Sequence, residues 1–531
     1  MPYLIKIGTN QAGFTPLHSA LISGNPNNMR AYFDEVRHAV EHKVIRTGDY
    51  GNLLTGVNQA GFTPLHETLI SGNSDNMRAY FDEVRRAVEQ KVISANDYGN
   101  LLTGANHAGF TPLHEALISG NPDNMRAYFD EVRRAVEHKV IRAGDYGNLL
   151  TSANHAGFTP LHEALISDNA DNMHTYFDEV RHAVGQKIIR EDDYGNLLMG
   201  TTDTGFTPLH QVLISGNPDN MSTYFDEVRR AVEHKVIRAG DYGHLLTGAT
   251  HAGFTPLHQA LISGNPENMR AYFDEVRRAV EHKVIRAGDY GNLLTGATHA
   301  GFTPLHEALI SGNPNNMLAY FDEVKRAIDH KIIRADDYGN LLIGANHAGF
   351  TPLHEALISG KPDNIRAYLT EVRRARDQGV IRDDDYRELL IKPNRAGFTP
   401  LHQAANSGNL EITQVFFEEL VRVRSKETVY RCLITPVKGH LPSCQRSANK
   451  PQADSINAYL GQKREEFSQY GDSRHQHFGD LKRKRGNVGG QASKTRAGGS
   501  RSTFFGASGY HRDPSRLREG HHPSNSTAMA R

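Results

Sequence analysis

Gly109-Phe110-Thr111-Pro112-Leu113-His114-Glu115-Ala116-Leu117-Ile118-Ser119-Gly120-Asn121 is the stretch on which the fold turns. Its first six residues recur with their final histidine at His18, His66, His114, His162, His210, His258, His306, His354 and His402, always 48 residues apart. Nine such steps span about four fifths of the 531 residues. Length alone suggests about three or four domains. A fixed period replaces that with one array whose units pack mainly on their neighbours.

The unit from Asn106 to Ala153 shows the local logic. Ala108-Gly109-Phe110 reads as a turn. Thr111 is a favoured N-cap, and Pro112 suits the first helical position. Leu113, Ala116, Leu117 and Ile118 give a short apolar stripe, which Gly120 ends and Asn121-Pro122-Asp123 turns. A second helix is predicted from about Asp123 to His138, with Met125, Tyr128, Phe129, Val132, Ala135 and Val136 on one face. Its other face carries Arg126–Asp130, Asp130–Arg134 and Arg133–Glu137 at i,i+4 spacing, and Asp130-Glu131 reads as solvated. Val140-Ile141 then leads to Asp145–Leu150, a third, short helical turn. No alternating β-branched run of strand length appears, so the class is all-α. At about 10 Å per packed layer, nine units would extend on the order of 90 Å.

The Gly-x-Thr-Pro-Leu-His-x-Ala pattern resembles the ankyrin repeat in all nine copies. That resemblance implies a helix–turn–helix solenoid, a structural histidine tying adjacent units together, and a concave protein-binding surface. Loop tips and the exposed side of the first helix would form that surface. On this basis the partner-binding candidates are His107, Glu115, His155, Glu163, Gln211, His251, Gln259, His299, Glu307, His347, Glu355 and Gln403. Two features depart from the family: the units exceed its usual 33 or so residues, and Leu117, Leu165 and Leu213 replace its second alanine. Only the ninth unit, with Ala404-Ala405, returns to the common form. The elongated units resemble those of ankyrin-repeat effectors of intracellular bacteria of the Legionella and Coxiella type. That likeness would imply type IV secretion into a host cell, with action in the host nucleus as the alternative function.

Catalysis finds little support. His114-Glu115 is not followed by the second histidine of a zinc-protease motif, because position 118 is Ile. No Gly-x-Ser-x-Gly, phosphate-binding loop, dinucleotide fingerprint or kinase set occurs. The histidines are whole repeats apart, unlike a metal ligand set. Neither a cofactor, a metal nor a small-molecule substrate is expected. Cys432 and Cys444 read as reduced thiols of a cytoplasmic protein. No run reaches the roughly 20 apolar residues of a membrane span, and Met1–Ile7 lacks a secretory signal.

The formal net charge is zero, yet it is unevenly spread. Residues 1–424 carry 41 basic and 52 acidic side chains, whereas residues 425–531 carry 19 and 8. The predicted organisation is a solenoid over 1–424, a cap and linker over 425–470, and a disordered basic tail over 471–531. Thr428–Ile434 would close the last repeat, and Ser455–Tyr470 reads as a weak amphipathic helix. In the tail, Lys482, Arg483, Lys484 and Arg485 form a nuclear-localisation candidate. A weak RNA or importin contact would follow from its charge, as would folding back onto the acidic array. The chain opens mid-repeat, Leu4–Asn10 aligning with Asn100–Asn106. A monomer acting as a non-catalytic scaffold is the expected role.

Overall fold

The computed structural model describes residues 9–22, 25–167, 169–444 and 449–471. It divides into two compact units, Met1–Leu341 and Leu342–Arg531. Both are helical, and the single isolated β-bridge among the described residues joins Val437 and His440. Among the described residues each unit is all-α and built of helical repeats.

In the first compact unit each repeat supplies three helices, exemplified by Pro112–Ile118, Pro122–Glu137 and Ala143–Thr151. Thr111 and His114 form a capping box around Pro112. Asn121 caps the second helix, its Oδ1 accepting from the amides of Asp123 (3.0 Å) and Asn124 (3.2 Å). The third segment is a nine-residue helix, longer than the turn its sequence suggested. Its leucines, Leu149 and Leu150, are buried.

Core positions follow the expected stripe. Leu113, Leu117, Met125, Tyr128, Phe129, Val132 and Ala135 are buried. Tyr128 also donates its hydroxyl to the carbonyl of Leu102, in the preceding unit's third helix, at 2.5 Å. Burying a phenol is favourable only when its O–H is paired, so this bond accompanies the ring into the core. Tyr176 and Tyr224 make the same bond to Leu150 and Leu198, each at 2.7 Å.

The corner after the second helix holds lysines in the left-handed region, from Lys43 (φ 58) to Lys331 (φ 59) at every 48th position. At Lys139 the amide bonds Val136 O at 3.0 Å, and the amide of Val140 bonds Ala135 O at 2.8 Å. That is the Schellman closure, which favours glycine because a Cβ is strained there. The second compact unit uses Gly379 (φ 73) at the equivalent place. Lys139→Gly is therefore expected to stabilise the array by about 1 kcal/mol, the relief of strain exceeding glycine's extra chain entropy. A higher urea midpoint at unchanged slope is the expected result.

The second compact unit contains Pro352–Ile358, Pro362–Asp377, Asp383–Leu389, Pro400–Asn406, Leu410–Val423, Lys426–Ile434 and Lys450–Ser468. The last helix lies on Leu410–Val423, with Phe417 meeting Tyr459 and Phe467 edge-on at centroid distances of 6.0 and 5.9 Å. Arg464 Nε caps the preceding helix by donating to Leu433 O at 3.1 Å. Ile456, Leu460 and Phe467 are buried in this contact.

The charged face of the second helix differs from its sequence reading. Arg133 pairs with Asp130 at i,i+3, and its other arm reaches Glu179 of the next unit at 2.5 Å. Glu131 is buried, accepting from the Tyr98 hydroxyl and from Arg85. The same tyrosine–glutamate–arginine stitch recurs at Tyr146–Glu179–Arg133 and Tyr242–Glu275–Arg229. Spacing already placed Glu131 on the apolar side, three residues after Tyr128 and four before Ala135. Only its charge made it look solvated.

Candidate interaction surface

The loops preceding the first helices are closed by Asn58, Asn106 and Asn154 in three units and by Thr202, Thr250 and Thr298 in the next three. Asn106 Oδ1 accepts from the amides of Ala108 (2.9 Å) and Phe110 (3.0 Å), while its own amide bonds Phe110 O at 2.8 Å. Gly109 sits at φ +85, and a Cβ there would lie 2.7 Å from the amide nitrogen of His155 and 2.9 Å from its ring. Glycine is thus required twice, by its dihedral and by the next unit's close approach.

These turns are joined by backbone bonds between units. The amide of His107 donates to Ala60 O, His155 to Ala108 O, and His251 to Thr204 O, each at 3.1 Å, while His299 bonds Ala252 O at 3.0 Å. All four imidazoles are exposed. Asp203 takes the intervening place and bonds Ala156 O at 3.3 Å. His347 is likewise exposed in the second compact unit. The loop histidines therefore stand where the sequence placed them.

The first-helix candidates do not. Glu115, Glu163, Gln211, Gln259, Glu307 and Glu355 are buried, and Gln403 is half-buried. The helix is only seven or eight residues long and lies between the first helices of both neighbours. Every residue from Pro112 to Leu117 is buried, so no polar side is left for a partner. Burial drives the carboxyls of Glu115, Glu163 and Glu355 up to about 8 and that of Glu67 to about 7. Neighbouring Glu163 and Glu67 add to the rise at Glu115. These side chains are polar members of the core, and burial favours the protonated form of Glu115, Glu163 and Glu355 at neutral pH.

The motif histidines confirm the structural reading. His114 Nε2 lies 3.2 Å from Phe158 O of the following unit, and Nδ1 lies 2.8 Å from Thr111 Oγ1. A carbonyl can only accept, so Nε2 carries the proton and Nδ1 accepts from Thr111. Phe110 packs edge-on against this ring at 5.6 Å. Burial holds the imidazoles of His66, His114, His162, His210 and His258 down to about 4. They are neutral fasteners between units.

Among the described residues, no group of three or more His, Cys, Asp or Glu is arranged to hold a metal ion. No described helix is long and apolar enough to cross a membrane. Cys432 and Cys444 are free and buried, the Cys432 thiol being pushed up to about 11 by burial. Lys482, Arg483, Lys484 and Arg485 lie outside the described residues, as does the rest of the basic tail beyond Gly471.

Residues 396–419, in the ninth unit, match the ankyrin-repeat family model. No curated protein matches the sequence. Among solved structures, the chain is similar to the human ASB11 ankyrin repeat domain, at 16% identity over 55% of this chain and 90% of that one, with a TM-score of 0.29. It is also similar to the ankyrin repeat domain of Bcl-3, a member of the IkappaB family, at 16% identity over 59% and 100%, with a TM-score of 0.31. The matched unit shares its Thr-Pro-Leu-His capping box with the earlier copies, Thr399 and His402 standing where Thr111 and His114 stand.

Proposed function

We propose that the array is a non-catalytic protein–protein interaction scaffold that holds its partner along the loop tips. One observation carries this reading. The backbone ladder through His107, His155, His251 and His299 sets exposed imidazoles at fixed, repeated positions on a rigid support. Binding residues on loops positioned by a scaffold are the usual way a repeat fold gains a partner. The buried glutamates and glutamines have no part in it, since a partner cannot reach them without opening the core.

The test is affinity capture with the full chain, beside a variant carrying His107→Ser, His155→Ser, His251→Ser and His299→Ser. These side chains are exposed, so the variant is expected to fold with an unchanged unfolding midpoint. The dominant protein recovered by the parent is expected to be lost. Equal recovery by both would overturn the loop-tip site.

A further inference from the structure

We propose that His38 and His42 form a two-imidazole site for a divalent late transition-metal ion of the zinc, nickel and copper class. The site lies in the first compact unit, on the helix Pro26–Glu41 and the cap residue that follows it. It is separate from the loop-tip reading and uses none of its residues.

Three observations point to it. The first is spacing. Residues four apart stand on one helical face, and two histidines so placed let a single helix offer two ligands to one zinc. His42 keeps that register although it is the cap. Its amide donates to His38 O at 3.0 Å, and the corner closes through Lys43 N to Val40 O at 3.0 Å and Val44 N to Ala39 O at 2.8 Å. The second is that the rings already meet, with centroids 4.2 Å apart at an interplanar angle of 72°. Two nitrogens on one tetrahedral zinc, each about 2.0–2.1 Å from it, lie about 3.3 Å from each other. Small turns of exposed rings about their broad terminal torsions reach that separation. The third is that both imidazoles are exposed, and among the described residues neither makes a side-chain hydrogen bond or ion pair.

The other units show that the fold does not require the pair. At the place of His38 they carry Arg86, Arg134, Arg230, Arg278 and Arg326, and at the place of His42 the second and fourth carry Gln90 and Gln186. His182 has Gln186 four residues on, and His138 has Arg134 four residues before it. Of the nine units, only the first has histidine at both places. Each lone imidazole elsewhere is thus a comparison built into the chain.

Chemistry rather than charge selects the ion. Arg37 is engaged by Asp34 and Glu83, and Arg86 on the neighbouring second helix stands 3.8 Å from Glu83. Exposed Glu35 and Glu41 on the same helix are offset by exposed Lys43 and Arg46 just after it. Nothing there favours calcium or magnesium, which need several oxygen ligands. Imidazole nitrogens suit zinc, nickel and copper. Water completes the coordination, since no three-ligand group occurs among the described residues.

The experiment is a zinc chloride titration of the full chain at about pH 7.5, near which imidazole is mostly unprotonated. Protection of each histidine from diethyl pyrocarbonate is read by peptide mass spectrometry, which separates this site from every other histidine. His38 and His42 are expected to be protected together, at a zinc concentration at least tenfold below that protecting His138 or His182. His42→Gln is expected to raise the His38 midpoint at least tenfold, and His38→Arg to do the same to His42. Both substitutions install a residue that other units carry at that place, so the unfolding midpoint in urea is expected to stay unchanged. Gln186→His is expected to bring the His182 midpoint down to that of His38 in the parent. A His38 midpoint no lower than that of His182, a His38 midpoint that His42→Gln leaves unmoved, or a His182 midpoint that Gln186→His leaves unmoved would each overturn the site.

Discussion

Urea unfolding measured across pH is expected to show stability peaking near about pH 6, with losses on both sides. Two ladders in the core cause this, and they pull in opposite directions. Burial holds His66, His114, His162, His210 and His258 down to about 4 in the fold, below the ordinary imidazole value of 6.5. As pH falls from 6.5 towards 4, the unfolded chain takes up protons that the folded chain refuses, so stability is lost. Burial pushes Glu67 up to about 7 and Glu115 and Glu163 up to about 8 in the fold, above the ordinary carboxyl value of 4.5. As pH rises from 4.5 through 8, the folded state must keep protons that the unfolded chain releases, so stability is again lost. Between 4.5 and 6.5 the five histidines outweigh the three glutamates, and above 6.5 only the glutamates act. Each carboxyl then costs about 1.4 kcal/mol per pH unit until it ionises. The triple variant Glu67→Gln, Glu115→Gln and Glu163→Gln is expected to remove most of the alkaline loss, leaving the part that Glu355 contributes. Its side chains already serve at the same position as Gln211 and Gln259, both buried. A variant that kept the parent's alkaline decline would show that these carboxyls are not buried as described.

The second large effect concerns the stitch between units. Glu179→Ala removes the acceptor of the Tyr146 hydroxyl and of Arg133 together. The phenol is left buried without a partner, at about 1–3 kcal/mol. Arg133 is partly exposed and retains Asp130, so it adds less than a fully buried ion would. A loss of about 2–3 kcal/mol is expected in urea unfolding. The diagnostic is the sign of a second change. Tyr146→Phe should destabilise the parent by about 1 kcal/mol, because it deletes a bond. In the Glu179→Ala background it should stabilise, because it deletes an orphaned hydroxyl. Additive effects would mean the three residues do not act as one network.

The architecture was legible because its signals are local. Thr111, Pro112 and Gly120 mark helix ends by backbone chemistry, and Met125, Tyr128, Val132 and Ala135 mark the buried face by spacing. The motif histidine was readable too, its threonine partner being three residues away. Misreadings arose where a residue's fate depends on another unit. Glu131 looked exposed by residue type and Glu115 by the family resemblance, yet each lies on a surface that the adjoining repeat covers. The third helix was undersized because its first residues, Ala143 and Gly144, carry no apolar period. Corner lysines gave no sign of their φ, since only three-dimensional closure against Ala135 and Val136 reveals it.

The bond from each motif histidine to the next unit's phenylalanine carbonyl has a consequence for how such a chain can change length. His66 holds Phe110 O at 3.1 Å, and His114 holds Phe158 O at 3.2 Å. Excising residues 106–153 would bring Phe158 into the place of Phe110 and remake the same seam. The join exposes no new face and strands no donor. Gain or loss of whole 48-residue blocks, as recombination between near-identical stretches produces, is therefore nearly silent to folding. A cut at any other multiple would separate a ring from its carbonyl and be felt at once. The junction chemistry makes repeat number a free variable while holding repeat length fixed.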